Sequence, residues 1–537
     1  AVPALLLSVT VLMLVDNFTY TVFNYGIVSI RGVIRVLYLI LFLLLAAWLY
    51  FKMIGAANFI SEIITKRSQR KTRTTALALT AAALLCVLVP AISFTPSTGQ
   101  TSGQSGTSAA HLPNVLLITA DSLNADRMSL YGYPQETTPF LEELASSSLV
   151  AENAFSNAQG TIGSITSILT GRDPIATRML TSLDLLRGED TGKHLPGLLR
   201  RYGYYSVQLS YSFYADAHRL NFVDGFDEAN GAKLSSNPVF AALTSIFPSN
   251  ISYFQAEIIN RVADRLGHVL FIHDMTNPYL QVTQSPEKFN DLQKMEYALE
   301  LFKTVKQPLF IHIHWMGTHG PTYHIANQVF SAGKSQDGQA YYDNDFYIDS
   351  ILEFDQALRT LYAGLEELNQ VDNTLMIVSA DHSQRWNVLR LPLVMHFPES
   401  DHTGVIRENV QYLDIAPTIL SALRIPQPTW MAGESLLSGE VSDEPIITVE
   451  IPSMIPDPKT GKKHMPDVKP PFYQFGKVSV VQCDQWFKLE ITGMKWTNGI
   501  VPNYREKCTL PRLTEKAALQ AIIQYFKAYG YDTSSLE

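Results

Sequence analysis

Cysteine is scarce: 537 residues hold three. That excludes a disulfide-dense scaffold and any CxxC metal knuckle. Cys86 lies in an apolar run, while Cys483 and Cys508 flank one short C-terminal region and can pair only if that region is outside the cytoplasm. An excess of positive charge is missing too. The formal net charge is -9, so nothing suggests a nucleic-acid partner. No internal repeat is visible, and the length exceeds one ordinary domain. The chain begins with Ala1 and not Met, which leaves room for a leading segment.

Long apolar runs, by contrast, are present at the start. Val2 to about Phe23, Val33 to about Ile54 and Thr75 to about Phe94 each approach the ~20 residues that cross a hydrocarbon core. One cleaved signal peptide would explain one run and not three. Between the second and third lies Lys66-Arg67-Ser68-Gln69-Arg70-Lys71-Thr72-Arg73, basic without an acid. The positive-inside rule places that loop in the cytoplasm and everything after Phe94 outside, although Arg31 and Arg35 in the opposite loop weaken the bias. The expectation is a multi-pass protein of the inner (plasma) membrane with its soluble part on the periplasmic, extracytoplasmic side. Residues 1–94 are its membrane helices. Residues 95–112, rich in Ser, Thr, Gly and Gln, are a flexible linker.

The remainder reads as α/β. Val115-Leu116-Leu117-Ile118-Thr119 is a continuous apolar run, as for a strand buried on both faces. Tyr205–Leu209, Leu309–Ile313, Leu375–Val378 and Leu393–Met395 repeat the pattern, alternating with helical stretches at Pro139–Ser146, Lys193–Arg201 and Tyr347–Leu368. A mostly parallel central sheet covered by helices follows, spanning residues 113–439. Residues 440–537 read as a small antiparallel subdomain with a final helix, Glu515–Tyr529.

In parallel sheets ligands bind beyond the carboxyl ends of the strands. Asp121, the His314-to-His319 stretch and Asp381-His382 all fall just past strand ends. Thr161 opens the helical segment Thr161-Ile162-Gly163-Ser164-Ile165-Thr166-Ser167-Ile168-Leu169, where free N–H groups and the helix dipole favour an alkoxide or a bound anion. Ser and Thr cap helices everywhere; the company of two aspartates and a histidine gives this one a second reading. Asp121, Thr161, Asp381 and His382 together suit a divalent metal, zinc first, manganese or magnesium next.

These residues carry a family resemblance. Asp121-Ser122-Leu123-Asn124 with Thr138-Pro139, Thr161 ten residues before Gly171, His314-Trp315-Met316-Gly317-Thr318-His319-Gly320-Pro321 and Ser379-Ala380-Asp381-His382 occur in order. The chain resembles the alkaline phosphatase and sulfatase superfamily, especially its membrane-anchored phosphoethanolamine and phosphoglycerol transferases. It departs from sulfatases where it has Thr161 for their modified cysteine, Ile165 for the following arginine and Ser122 for a second Asp. Asn124 stands where both branches often have Arg, and Ser383 where Gly is usual.

The resemblance implies a metal-dependent phosphotransferase that moves a phospholipid headgroup to an envelope glycan or glycolipid, such as lipopolysaccharide, through a phospho-threonine. Thr161 is then nucleophile and metal ligand, with Asp121, Asp381 and His382 completing the metal site. His319 contacts the phosphoryl oxygens or protonates the leaving group, and Asn124, His314 and His402 are candidate substrate-binding residues. Two alternatives stand beside it: a phosphodiesterase or sulfatase-type hydrolase, and a non-catalytic lipid-sensing protein that keeps the fold.

Overall fold

The computed structural model describes residues 4–5, 7–12, 15, 33–66, 112–181, 184–211, 214–222, 225–233, 242–243, 247, 252, 255, 259, 288–439, 444–452, 455–456, 463–464, 475–505 and 510–537. The chain divides into two compact units. One comprises Ala1–Gly103 and Leu234–Pro286; the other comprises Gln104–Lys233 and Glu287–Glu537.

In the first unit, α1 (Val33–Lys66) is a single 34-residue helix. Leu41, Leu43, Leu44, Trp48 and Phe51 on it are exposed. Its uninterrupted apolar stretch runs only from Val36 to Phe51, between Arg35 and Lys52. Among the described residues no helix is long and apolar enough to cross a membrane. The three expected spans are therefore not shown. The first lies partly, and the third wholly, outside the described residues, as does nearly all of the linker.

The second unit is built on a nine-stranded sheet. Its strands are β1 (Asn114–Ala120), β2 (Leu149–Phe155), β3 (Tyr205–Leu209), β4 (Glu228–Ala229), β5 (Ala232–Lys233), β6 (Leu309–Trp315), β7 (Thr374–Ala380), β8 (Leu391–His396) and β9 (Gly404–Gln411). They lie in the order β5-β4-β3-β6-β1-β7-β8-β2-β9. Pairing is parallel from β4 through β7 and between β2 and β9; β5 and β8 run against their neighbours. Every residue of β1, β6 and β7 is buried, which is why their apolar runs do not alternate. The helices include α2 (Pro139–Ala145), α3 (Thr161–Thr170), α4 (Leu195–Arg201), α5 (Asp291–Thr304), α6 (Asn344–Glu367) and α7 (Ile415–Ala422). Asp355 of α6 caps α2 by accepting the N–H groups of Phe140 and Leu141 at 2.8 and 2.9 Å.

Strands β2 and β9 escape a pattern search for a physical reason. β2 carries Glu152 and Asn153 inside it, and β9 is exposed along much of its length, so neither is a clean apolar run.

A second sheet follows, antiparallel and ordered β10 (Ile446–Glu450), β13 (Lys477–Gln482), β14 (Gln485–Glu490) and β15 (Lys495–Ile500), with β11 (Ile455–Pro456) and β12 (Lys463–His464) paired apart from it. The final helix α8 (Glu515–Ala528) buries Ala518, Ile522 and Phe526, four residues apart on one face, in a cluster with Val478, Val480 and Leu489. This sheet braces the approach to α3: Gln159 N–H donates to Val449 O, and Val449 N–H to Asn157 O, both at 3.0 Å. Cys483 is disulfide-bonded; Cys508, its expected partner, lies outside the described residues.

Candidate active and metal site

Strands β6, β1 and β7 end in register, with Ala120 opposite both Trp315 and Ala380. The next residues continue the ladder. Asp121 N–H donates to Trp315 O at 2.9 Å, and Asp381 N–H to Ala120 O at 3.2 Å. Two carboxylates, 260 positions apart in the chain, are thereby delivered to one spot at the carboxyl edge of the sheet.

Each carboxylate has its Oδ1 held by the ligand loops and its Oδ2 turned to the centre. Asp121 Oδ1 accepts the Ser122 hydroxyl at 2.7 Å. Asp381 Oδ1 accepts the N–H groups of Ser122 at 3.0 Å and His382 at 2.6 Å, while its Oδ2 is buried with no hydrogen-bond partner. His382 Nδ1 lies 3.0 Å from Ser383 O. A carbonyl only accepts, so Nδ1 carries a proton, and in the neutral ring it is Nε2 that turns its lone pair inward. Nε2 is 3.4 Å from Asp381 Oδ2 and 3.4 Å from Thr161 Oγ1.

Thr161 is the first residue of α3, entered through Gly160 at φ 122°, in the conformational region that favours glycine. Its hydroxyl donates to Asp121 Oδ2 at 3.2 Å. The Ser164 hydroxyl, one turn on, donates to Asp381 O and ties the helix to the metal-ligand loop.

The charges show what the cluster lacks. Burial raises the Asp121 carboxyl, yet the His314 contact and the neighbouring histidines outweigh it and hold the group below the usual carboxylate range. Burial and then the Asp121 charge push Asp381 up. Burial opposes a charged His382, but Asp381 and Asp121 raise it above the ordinary histidine value. Two fully buried carboxylates pulling apart in this way are a pair short of positive charge. Ligand atoms of Asp121, Asp381 and His382 lie within 4.8 Å of one another, and Asp381 Oδ2 is orphaned among them. The residues fit a divalent cation.

The other expected residues are placed as follows. His314 is fully buried beside the cluster, with Nε2 3.6 Å from Asp121 Oδ2 and 4.0 Å from Asp381 Oδ2. His319 is half-buried on the following loop, its ring stacked on Tyr214 at 6.3 Å, near enough for its charge to lower Asp121. Asn124 is buried and its Oδ1 accepts the Gln384 N–H at 2.9 Å, so its carbonyl oxygen clamps the two ligand loops together. His402 is not brought to the site. It lies exposed between β8, which runs antiparallel to β7, and the start of β9, at the opposite edge of the sheet, against Phe397.

Three further residues hold the site together. Tyr347 donates to Ser122 O at 2.7 Å and accepts Asn124 N–H at 3.0 Å. Thr318 donates to Asp121 O at 2.7 Å, and buried Lys294 to His314 O at 2.8 Å. Thr318 lies three residues past the end of β6, whereas Tyr347 and Lys294 sit inside α6 and α5 and nothing in the sequence marks them.

Comparison with known proteins bears on the family and the fold. Residues 113–425 match the Sulfatase family. The chain is 27% identical over 299 residues to human N-acetylgalactosamine-6-sulfatase, covering 52% of each. It is 23% identical over 357 residues to human arylsulfatase A, covering 60% of this chain and 66% of the relative. The chain thus spans about half the length of the first of these relatives. Among solved structures it resembles Ps i-CgsB in complex with k-i-k-neocarrahexaose (TM-score 0.53, 16% identity, 78% and 93% covered). It also resembles the phosphonate monoester hydrolase of Agrobacterium radiobacter (TM-score 0.51, 15% identity, 78% and 94% covered). At such identities the likeness to solved structures is one of fold.

Proposed function

The chain belongs to the sulfatase family, and on that premise we propose that it is a metal-dependent phosphoesterase whose Thr161 hydroxyl attacks phosphorus. The observation that carries this is the Thr161 hydroxyl at 3.2 Å from Asp121 Oδ2 and 3.4 Å from His382 Nε2, on the first turn of a helix.

Asp121 Oδ2, Asp381 Oδ2, His382 Nε2 and Thr161 Oγ1 would hold the cation. When bound, it lowers the hydroxyl's pKa and neutralises the phosphoryl oxygens. Zinc, manganese and magnesium all suit a set of oxygens with one nitrogen. The chain's own residues do the rest. With its pKa lowered by the cation, the Thr161 hydroxyl, held by Asp121 Oδ2 at 3.2 Å, would lose its proton to solvent before it attacks. The Oγ1–P bond forms as the bond from phosphorus to the leaving oxygen breaks, and His319 supplies that oxygen's proton from the rim. The free N–H groups at the start of α3 face the transferred group.

A phosphate ester is favoured over a sulfate ester by the nucleophile itself. Threonine carries a single hydroxyl and cannot become the aldehyde hydrate that a sulfatase's modified cysteine provides. Water as the final acceptor gives a hydrolase, the reading that the relatives named as sulfatases support. An alcohol as acceptor gives the transferase of the phosphoethanolamine and phosphoglycerol kind, moving a phospholipid headgroup to an envelope glycan or glycolipid. The exposed Leu41, Leu43, Leu44, Trp48 and Phe51 of α1 favour this second reading, since apolar side chains of that kind would hold the chain at a membrane surface beside a lipid donor.

The test is chromogenic. Full-length protein supplied with zinc, manganese or magnesium should release nitrophenol from a nitrophenyl phosphodiester and leave nitrophenyl sulfate intact. Turnover of the sulfate alone would overturn the reading, and turnover of neither would favour a non-catalytic protein.

A further inference from the structure

The loop that follows Asp381-His382 carries a strained arginine. It runs from Ser383 to Asn387 on the way to β8 and is pinned along its length. The Ser383 hydroxyl donates to Asn387 O, which also accepts the Gln159 side-chain NH₂ at 3.2 Å. Gln384 N–H donates to Asn124 Oδ1 at 2.9 Å, and its side-chain NH₂ donates to the Tyr323 hydroxyl. Between these ties Arg385 sits at φ 57°, ψ 22°, a left-handed backbone that is unfavourable for a residue with a Cβ. Such a conformation persists only where the surroundings over-determine it, and it concentrates at ligand clamps.

The arginine rests on an aromatic platform. Its guanidinium lies over the Tyr342 ring, 4.1 Å from the centroid. Tyr342 is left-handed as well, at φ 60°, and its N–H donates to Pro321 O at 2.7 Å. The Tyr342 ring abuts Gly320, where any side chain would collide with it. Gly320 follows His319, so the stack stands beside the histidine assigned to the leaving oxygen. The ring covers the face of the guanidinium and leaves its edge open. Among the described residues no carboxylate pairs with Arg385, and the acids next to Tyr342 in sequence, Asp343 and Asp345, are held by Lys334 at 3.0 and 2.8 Å. Arg385 is exposed, whereas Asp121, Asp381 and His382 are 0, 0 and 5% exposed, so its N–H fork stands at the mouth and outside the buried centre.

We propose that Arg385, stacked on Tyr342, is a substrate-binding residue for a second anionic group, a carboxylate or a phosphate, carried by one of the two alcohols of the phosphodiester. This names a substrate class for the site described above and rests on the phosphoesterase reading. The reacting phosphorus has to reach Thr161, which is buried, so the group that meets the exposed Arg385 is a different one. A planar guanidinium with its face on a ring presents parallel N–H groups along its edge, the fit of a carboxylate or a phosphate. Holding the fork in place beforehand lowers the entropy lost when the anion binds.

Three nitrophenyl phosphodiesters read the subsite, with ethyl, 2-carboxyethyl or 2-phosphoethyl as the second alcohol. Full-length protein supplied with zinc, manganese or magnesium should favour a charged ester over the ethyl ester by about fivefold in kcat/KM, chiefly through KM. Whichever charged ester gains more identifies the anion as carboxylate or phosphate. In Arg385→Ala the ratio of charged to ethyl ester should fall to near one, and in Arg385→Glu below one. Arg385→Lys, which keeps the charge and loses the fork, should retain part of it. Because each variant is judged by a ratio within one protein, partial loss of folded material does not imitate the result. Titration calorimetry of the same esters reads the ratio as affinities. Turnover with a ratio near one in the parent, or a ratio that Arg385→Glu leaves unchanged, overturns the subsite and spares the phosphoesterase. Selective binding that Arg385→Glu abolishes, without turnover, supports the subsite and overturns the phosphoesterase.

Discussion

Ser122 donates its backbone N–H to Asp381 Oδ1 at 3.0 Å and its hydroxyl to Asp121 Oδ1 at 2.7 Å, so one residue aims both buried carboxylates. It does so from a left-handed backbone, φ 57°, uncommon for a residue with a side chain and more often seen at functional sites. Sulfatases often have a second aspartate here. In this chain the position orients ligands instead of supplying one.

Ser122→Ala keeps the backbone bond and removes the hydroxyl's hold on Asp121. Metal affinity should fall about tenfold, within the range for lost partners of a ligand. Isothermal titration with zinc and with manganese checks this; unchanged affinity for both would mean that the hydroxyl orients nothing.

Gly433→Ala should destabilise the fold by about 1–3 kcal/mol. A Cβ there would lie 2.0 Å from Leu413 O, a backbone atom that cannot swing aside. Denaturant unfolding measures it, and a variant as stable as the parent would show that the two segments separate easily.

Asp414 is buried, and desolvation is the main cause raising its carboxyl to about 7, against the N–H groups of Glu434 and Gln411 that lower it. Its folded value lies above its unfolded one, so its contribution to stability is complete below about pH 4 and is lost as the pH rises to about 7. Asp414→Asn should therefore gain on the parent between pH 5 and pH 8 by ~3 kcal/mol. Chemical denaturation at the two pH values reads this difference, and a gap independent of pH would refute the shift.

Cys483 is disulfide-bonded, and the sequence has two other cysteines, Cys86 and Cys508. A non-reducing peptide map should join Cys483 to Cys508 and leave Cys86 as the thiol that labels. A Cys86 partner would remove the support that an oxidising, extracytoplasmic setting draws from the bond.

The parts of the fold readable in the sequence are those where burial on both faces writes a continuous apolar run. β1, β6 and β7 are of that kind, and Asp121 and Asp381 are legible because they terminate such runs. Thr161 is legible from the small residues around a helix start. Helix boundaries shift by a few residues, as where α6 begins at Asn344 under an Asp343 cap and not at Tyr347. Asn124 and His402 have the right chemistry, but only packing shows that one is occupied by Gln384 and the other lies at the far edge of the sheet. His312 meets Gln208 and Thr119 only once three strands are paired, which no stretch of sequence shows. The N-terminal apolar runs are legible as composition, whereas their place in a membrane is not something the described residues show.

The central claim is that Thr161 becomes covalently attached to phosphorus. Full-length protein would be mixed with a phosphodiester donor, quenched in acid, digested and sequenced by mass spectrometry. The account predicts on Thr161 the added mass of the donor's phosphoryl group together with the one alcohol it still carries. The adduct and turnover should both vanish in Thr161→Ala, with folding nearly unchanged, and partly survive in Thr161→Ser. An adduct on any other residue, or undiminished turnover by Thr161→Ala, would contradict it.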